Sequence, residues 1–375
     1  MSTKVFRLRE LDFLRGIAIL LVLLNHQQLF KFTSTMGWIG VDLFFVLSGF
    51  LVSGLLFKEY IKFGTIDPWR FLIRRGFKIY PIYYLFYGLY LIPIFLKQQF
   101  DFVGFISEMF FVQNYVWGWG YAYKPSWSLA VEEHFYFCFS LLLFWGIKRR
   151  FIRLNKTDTF QNLSRMEYCV IGTMAVCTML RLISNFQFPE ENARNITMTH
   201  LRLDSLLAGV LVAYWYYFKK DWFQHFIISY KKRLLLLSLS LISFTPFIDH
   251  EHSFFAKTLG FLMLYMAFSI LLSWFLVEEK INILLDKFLS KPVVDGISKI
   301  GFASYSIYII HSFVNNSFSM VCVYWLKIEV SQPLTFLLTS VISIITGLLM
   351  TKYIEKYFLD IRDQHFPARN INSKI

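Results

Sequence analysis

The chain has 375 residues, 56% of them hydrophobic and only 17% charged. A soluble domain carries about a quarter charged residues, so a water-soluble protein folded round a single core is excluded. The formal net charge of +13 suits a nucleic-acid or membrane-surface partner, and where the charges fall decides between them.

The apolar residues come in runs of about 16 to 24, the length that crosses a bilayer as a helix. Ten spans are predicted, at roughly 13–30, 39–57, 79–96, 127–147, 168–185, 203–218, 234–248, 256–277, 301–325 and 333–351. The segment 102–119 is aromatic and apolar but interrupted by Glu108, Gln113 and Asn114, so it reads as interfacial or re-entrant. No small-residue cleavage site follows the first apolar run, so the first span is expected to stay. Cys138, Cys169, Cys177 and Cys322 lie in or beside apolar runs without metal-binding spacing. They read as buried thiols, and no metal is expected. The expectation is one all-α transmembrane domain over 1–375 with no appended soluble domain.

Lysine and arginine sort by side. With the first residues inside, 29 of the 38 fall in inside segments, 6 outside and 3 within spans. Such a bias predicts cytoplasmic ends for the chain. It also accounts for the positive charge by topology and anionic lipid, so no nucleic-acid role is needed.

The first span carries Arg15 near one end and His26 near the other. Eleven residues at about 100° each make three turns plus about 20°, so both lie on one face, about 16 Å apart. Ionisable groups inside a span need partners and mark function. An interfacial arginine pairing with Asp12 and a snorkelling histidine is the plainer alternative. Chemically, a neutral imidazole can take a proton from an attacking hydroxyl or be acylated itself. Further polar residues share this setting. Asp42 near the outer rim can pair with His26 or cap a helix start in water. Glu132, on one face with Tyr136, can orient His26 or a substrate hydroxyl, while Glu133 points about 100° away. Arg202 and Asp204 can hold a polar substrate, or pair with Arg181 and each other. Ser304, Tyr308 and His311 recur at i, i+4 and i+7 and form one polar stripe, which faces protein or water. Gly37, Gly40, Gly49 and Gly54 suit close helix contacts, and Ser48-Gly49 can also leave room for a substrate arm. Arg70, Arg74, Arg75 and Lys78 read either as flanking charge or as a phosphate site.

Six stretches then stand in order. They are Asp12-Phe-Leu-Arg15-Gly16 running to His26, Gly40-Val-Asp42 running to Ser48-Gly49-Phe50, and Arg74-Arg75-Gly-Phe-Lys78-Ile-Tyr-Pro81. Trp127-Ser128 running to Glu132-Glu133-His134-Phe-Tyr136, Gly301-Phe-Ala-Ser304-Tyr305 running to Tyr308 and His311, and Tyr353-Ile-Glu355 complete the set. Together they resemble acyltransferase family 3, polytopic enzymes that O-acylate cell-envelope glycans. Lys78 stands where the family carries arginine, and His134 where it carries glutamine. The resemblance implies a multi-pass protein of the inner (plasma) membrane that moves an acyl group, acetyl above all, from cytoplasmic acyl-CoA to a hydroxyl of an envelope glycan such as O-antigen. It implies His26, Arg15 and Glu132 in catalysis and coenzyme A phosphates on Arg74, Arg75 and Lys78. Asp42, Ser48, Gly49, Arg202, Asp204, Tyr308 and His311 are then expected to line the site. The rival reading is a transporter or flippase of a lipid-linked glycan, for which an internal repeat with paired broken helices is the expected mark.

Overall fold

The fold is that of a computed structural model, described over residues 8–27, 35–155 and 163–369. Among these residues the secondary structure is helical throughout. The helices are α1 Arg9–Gln27, α2 Ile39–Phe63, α3 Pro68–Leu96, α4 Phe102–Met109, α5 Gln113–Val116, α6 Ser126–Lys148, α7 Arg165–Gln187 and α8 Asn192–Thr197. They continue as α9 Leu203–Phe218, α10 Lys220–Ile242, α11 Phe261–Val277, α12 Ile281–Leu289, α13 Lys291–Phe302, α14 Ser304–Met320, α15 Gln332–Met350 and α16 Lys356–His365. The predicted positions 28–30 of the first span and 370–375 of the tail lie outside the described residues.

Six of these helices are long and apolar enough to cross a membrane, or seven if α13 and α14 count as one bent span. This is a multi-pass membrane protein. The ten spans expected from hydropathy differ from that number for local reasons. Arg9, Glu10, Asp12 and Arg15 all fall in α1. The 16 residues of α9 rise only about 24 Å. The span expected at 234–248 is the second half of a helix that starts at Lys220 and carries Lys231, Lys232 and Arg233 at its centre. The segment 102–119 is no single element. The Glu108 carboxylate accepts from the Ala122 and Tyr123 amides and from Ser126 Oγ, at 2.6, 3.2 and 2.5 Å. These bonds fold two short helices back against the start of α6.

Two glycine-lined crossings fix the frame. At the first, a Cβ on Gly49 of α2 would fall 1.9 Å from the Leu206 carbonyl oxygen, and one on Gly209 of α9 2.1 Å from that of Val46. At the second, a Cβ on Gly16 of α1 would fall 2.2 Å from the Ile297 oxygen, and one on Gly301 of α13 1.8 Å from that of Asp12. Only hydrogen at these four positions lets the backbones meet, as small residues do between membrane helices. The chain then bends by 78° between α13 and α14, and α14 rises beside α1.

Gly49→Ala is expected to lower the thermal midpoint in detergent by several degrees, since overpacking costs about 1–3 kcal/mol. Gly172→Ala on α7, where nothing lies within 4 Å of the added carbon, is the matched control and is expected to leave the midpoint unchanged or raised.

Candidate active site

A cavity of about 530 Å³ opens between α1, α2, α3, α6 and α14. That is within the range of a small-molecule site. Arg15, Lys58, Arg75 and Lys78 line it, together with Asp12, Glu132 and Glu133. Its walls are otherwise apolar, with Phe44, Leu47, Leu51 and Tyr305 among them. The positive bias lies at the end that the charge distribution assigns to the cytoplasm.

The elbow before α14 sets Ser304 against α1, and Arg15 donates to Ser304 Oγ at 3.0 Å. The Arg75 guanidinium lies 4.5 Å over the Tyr136 ring and donates to its hydroxyl at 2.7 Å. That hydroxyl in turn donates to Glu132, whose other oxygen accepts from Ser48 Oγ at 3.0 Å. One chain of polar contacts thus joins α3, α6 and α2. Lys78 stands 3.6 Å from Glu355. Glu133 also lines the cavity and accepts from Tyr80 at 2.8 Å. Both neighbouring glutamates face the site, although adjacent helical residues point about 100° apart, because the cavity wraps round this part of α6.

The upper end is built from the stripe on α14. Tyr308 and Ser128 hydroxyls meet at 2.7 Å, and Tyr308 also donates to the Pro125 carbonyl at 3.0 Å. One turn further, the His311 ring lies 5.5 Å from that of Tyr308 and 4.9 Å from that of His26. His311 is fully buried, whereas His26 is exposed. His311 Nδ1 is 2.5 Å from the Tyr308 carbonyl. A carbonyl only accepts, so the proton of neutral His311 sits on Nδ1 and leaves Nε2 with a lone pair.

Several predicted site residues lie elsewhere. Arg74 turns away from the cavity to Asp363 of α16 at 2.9 Å and donates to the Phe366 carbonyl. Asp42 does not reach His26. It pairs with Arg202 at 2.6 Å, and Asp204 pairs with Arg181 at 2.7 Å, all four side chains 0–1% exposed. Arg202 also lies 3.5 Å over the Phe261 ring. These charges tie α2, α7 and α9 together and are absent from the cavity wall. Gly49 belongs to the α2–α9 crossing, and of the pair Ser48-Gly49 only Ser48 lines the cavity. Glu132 is held by Ser48 and Tyr136 rather than by His26. Sequence reasoning passed over Ser128 and Tyr136, although both stand in the fourth-span motif, and Lys58, which sits among ordinary flanking charges. Among the described residues no three His, Cys, Asp or Glu side chains are grouped to hold a metal ion.

The sequence as a whole is matched by the family described as acyltransferase domain, acyltransferase family 3, over residues 8–352. The chain belongs to that family. Similar proteins of the family's kind include one from Staphylococcus aureus (strain COL) with a provisional O-acetyltransferase designation. It is 27% identical over 353 residues, covering 87% of this chain and 54% of that protein. The O-acetyltransferase OatA of Staphylococcus aureus (strain NCTC 8325 / PS 47) is 27% identical over 236 residues, 58% of this chain and 37% of OatA. The chain therefore spans about half the length, or less, of these relatives. No solved structure matches it at a significant level.

Arg202→Leu leaves Asp42 buried without its cation, a loss of about 3–5 kcal/mol. The variant is expected to accumulate poorly and to unfold at lower temperature in detergent. Arg74→Ala, which removes only a half-exposed pair, is expected to leave both readouts close to those of the unaltered protein.

Proposed function

We propose that the chain is an O-acetyltransferase of the inner (plasma) membrane. It takes an acetyl group from cytoplasmic acetyl-CoA and passes it to a hydroxyl of an envelope glycan, such as O-antigen, on the far side. Family membership and the names of the two relatives support acyl transfer to oxygen. The observation that carries the reading is the cation-lined cavity with the His26–His311 pair one turn beyond its upper end.

The dimensions suit such a donor. From Lys58 at the rim to Ser48 deep in the cavity is ten residues of α2, about 15 Å. A pantetheine arm has about thirteen bonds and extends about 16 Å at the roughly 1.2 Å per bond of a stretched chain. Phosphates held by Arg75 and Lys78 at the rim would therefore put the thioester near Ser48, Glu132 and Tyr308. Arg15, fixed by Ser304, supplies a positive charge to the carbonyl oxygen as it becomes an oxyanion. His26 takes the proton of the acceptor hydroxyl as its oxygen attacks the thioester carbon. The C–O bond forms, the C–S bond breaks, and the coenzyme A thiolate leaves. His311, with its lone pair on Nε2, steadies the resulting imidazolium. Asp42, Arg202, Asp204 and Gly49 act in this scheme by holding the frame.

His26→Ala is expected to abolish acetyl ester on the glycan while the protein still inserts and accumulates, read by mass spectra of surface glycans. Full acetylation by that variant would sink the assignment. A flippase of lipid-linked glycan would instead change how much glycan is exported. Because Arg75 lines the cavity and Arg74 does not, Arg75→Ala is expected to raise KM for acetyl-CoA tenfold or more, and Arg74→Ala by less than threefold. Equal effects would remove the cavity from donor binding.

A further inference from the structure

The inner mouth of the cavity has a second wall, away from Arg75 and Lys78. There α2 presents Gly54 and Lys58, and α9 presents Tyr217, all three lining the cavity. The Lys58 ammonium stands 5.8 Å from the centre of the Tyr217 ring. Among the described residues that ring is its partner, and no carboxylate pairs with it. The other lysine of the cavity, Lys78, is partnered by Glu355. Beside the ring the helix surface is bare. A Cβ on Gly54 would lie 3.1 Å from Tyr217 Cε2, so any larger side chain there would press on the ring. The ring is half-buried and Lys58 exposed. A flat aromatic face, a cation at its edge and a glycine keeping the approach open form a site with room for a planar ring that carries an anion. At 5.8 Å the ammonium is near the outer limit of about 6 Å for attraction to a ring. Moving it onto a phosphate costs little and uncovers the tyrosine.

We propose that Lys58 and Tyr217 bind the adenosine 3′-phosphate end of the donor, with Lys58 on the 3′-phosphate and Tyr217 against the adenine. The inference rests on acetyl-CoA being the donor. It divides the nucleotide between two walls, with the pyrophosphate on Arg75 and Lys78 across the mouth and the adenosine on α2 and α9. Lysine meets a phosphate as a point charge, and a base stacked on an aromatic side chain adds about 1–3 kcal/mol. Neither contact reaches the reacting atoms, so both act on donor binding and not on the chemical step.

The test uses the full chain purified in detergent, with acetyl-CoA, acetyl-dephospho-CoA and acetyl-pantetheine as donors. Lys58→Ala is expected to raise KM for acetyl-CoA about tenfold with kcat unchanged. It is expected to leave KM for acetyl-dephospho-CoA and acetyl-pantetheine as in the unaltered enzyme, because the group it meets is missing from both. Tyr217→Leu is expected to raise KM for acetyl-CoA and acetyl-dephospho-CoA alike and to spare acetyl-pantetheine, and Tyr217→Phe to behave as the unaltered enzyme. An equal loss with all three donors in either variant would mean a structural effect and overturn the proposal, as would no loss with acetyl-CoA. If the unaltered enzyme turns over none of the three donors, it is the donor assignment itself that fails.

Discussion

The contact on which the site depends is the backbone crossing of α1 and α13. With Gly16 and Gly301 facing carbonyl oxygens of the opposite helix, the two axes come closer than any side chain would permit. The elbow that follows α13 therefore begins against α1, and Ser304 arrives within 3.0 Å of Arg15. From that anchor both helices rise together. The next turns of α14 carry Tyr308 and then His311, and α1 carries His26 to meet it at 4.9 Å. A bulkier residue at either glycine would move the elbow and with it both histidines, which otherwise touch neither glycine.

The opposite wall is held by charge. Asp42 with Arg202 and Asp204 with Arg181 are fully buried pairs, and such pairs add little net stability because desolvation offsets their attraction. Their effect is to make one arrangement of α2, α7 and α9 much better than its neighbours, since any slip leaves a charge unpaired. The Gly49–Gly209 crossing brings the same α2 and α9 into register by shape. Shape and charge together hold Ser48 and Lys58 on the cavity side of α2 while Gly49 faces away.

Helical period was enough to read some of this from sequence. It put Arg15 and His26 on one face and gathered Ser304, Tyr308 and His311 into a stripe, and all five point inward as that period requires. Period encodes a face and not the neighbour across it. Asp42 and Arg202 are 160 positions apart, and nothing local tells that Asp42 meets an arginine and not His26. Arg74 and Arg75 are adjacent and chemically alike, yet about 100° of helix sends one to α16 and the other to Tyr136. The stretch 102–119 misled for a related reason. Its polar residues looked like interruptions of a membrane segment, whereas Glu108 is the acceptor that folds the segment back on α6.

The separation between cavity and histidines bears on what can be transferred. Within the proposed scheme the nucleotide stays at the inner mouth, and the thioester reaches the level where Tyr308 and Ser128 meet at 2.7 Å. His311 lies beyond that pair, with His26 beside it and open to the outside. Phe44 lines the same end and sets its ring against Tyr308, 6.5 Å between centres. A passage closed by two aromatic rings and a hydroxyl pair has room for a small acyl group and little more. A long chain would have to displace Tyr308, and Tyr308 is tied to Ser128 and to the Pro125 carbonyl. The apolar width of the cavity lies below this point, along Leu47 and Leu51, where it can receive the pantetheine arm. On this geometry the donor's bulk is admitted from one side and only its smallest piece is handed to the other, which favours acetyl over longer groups.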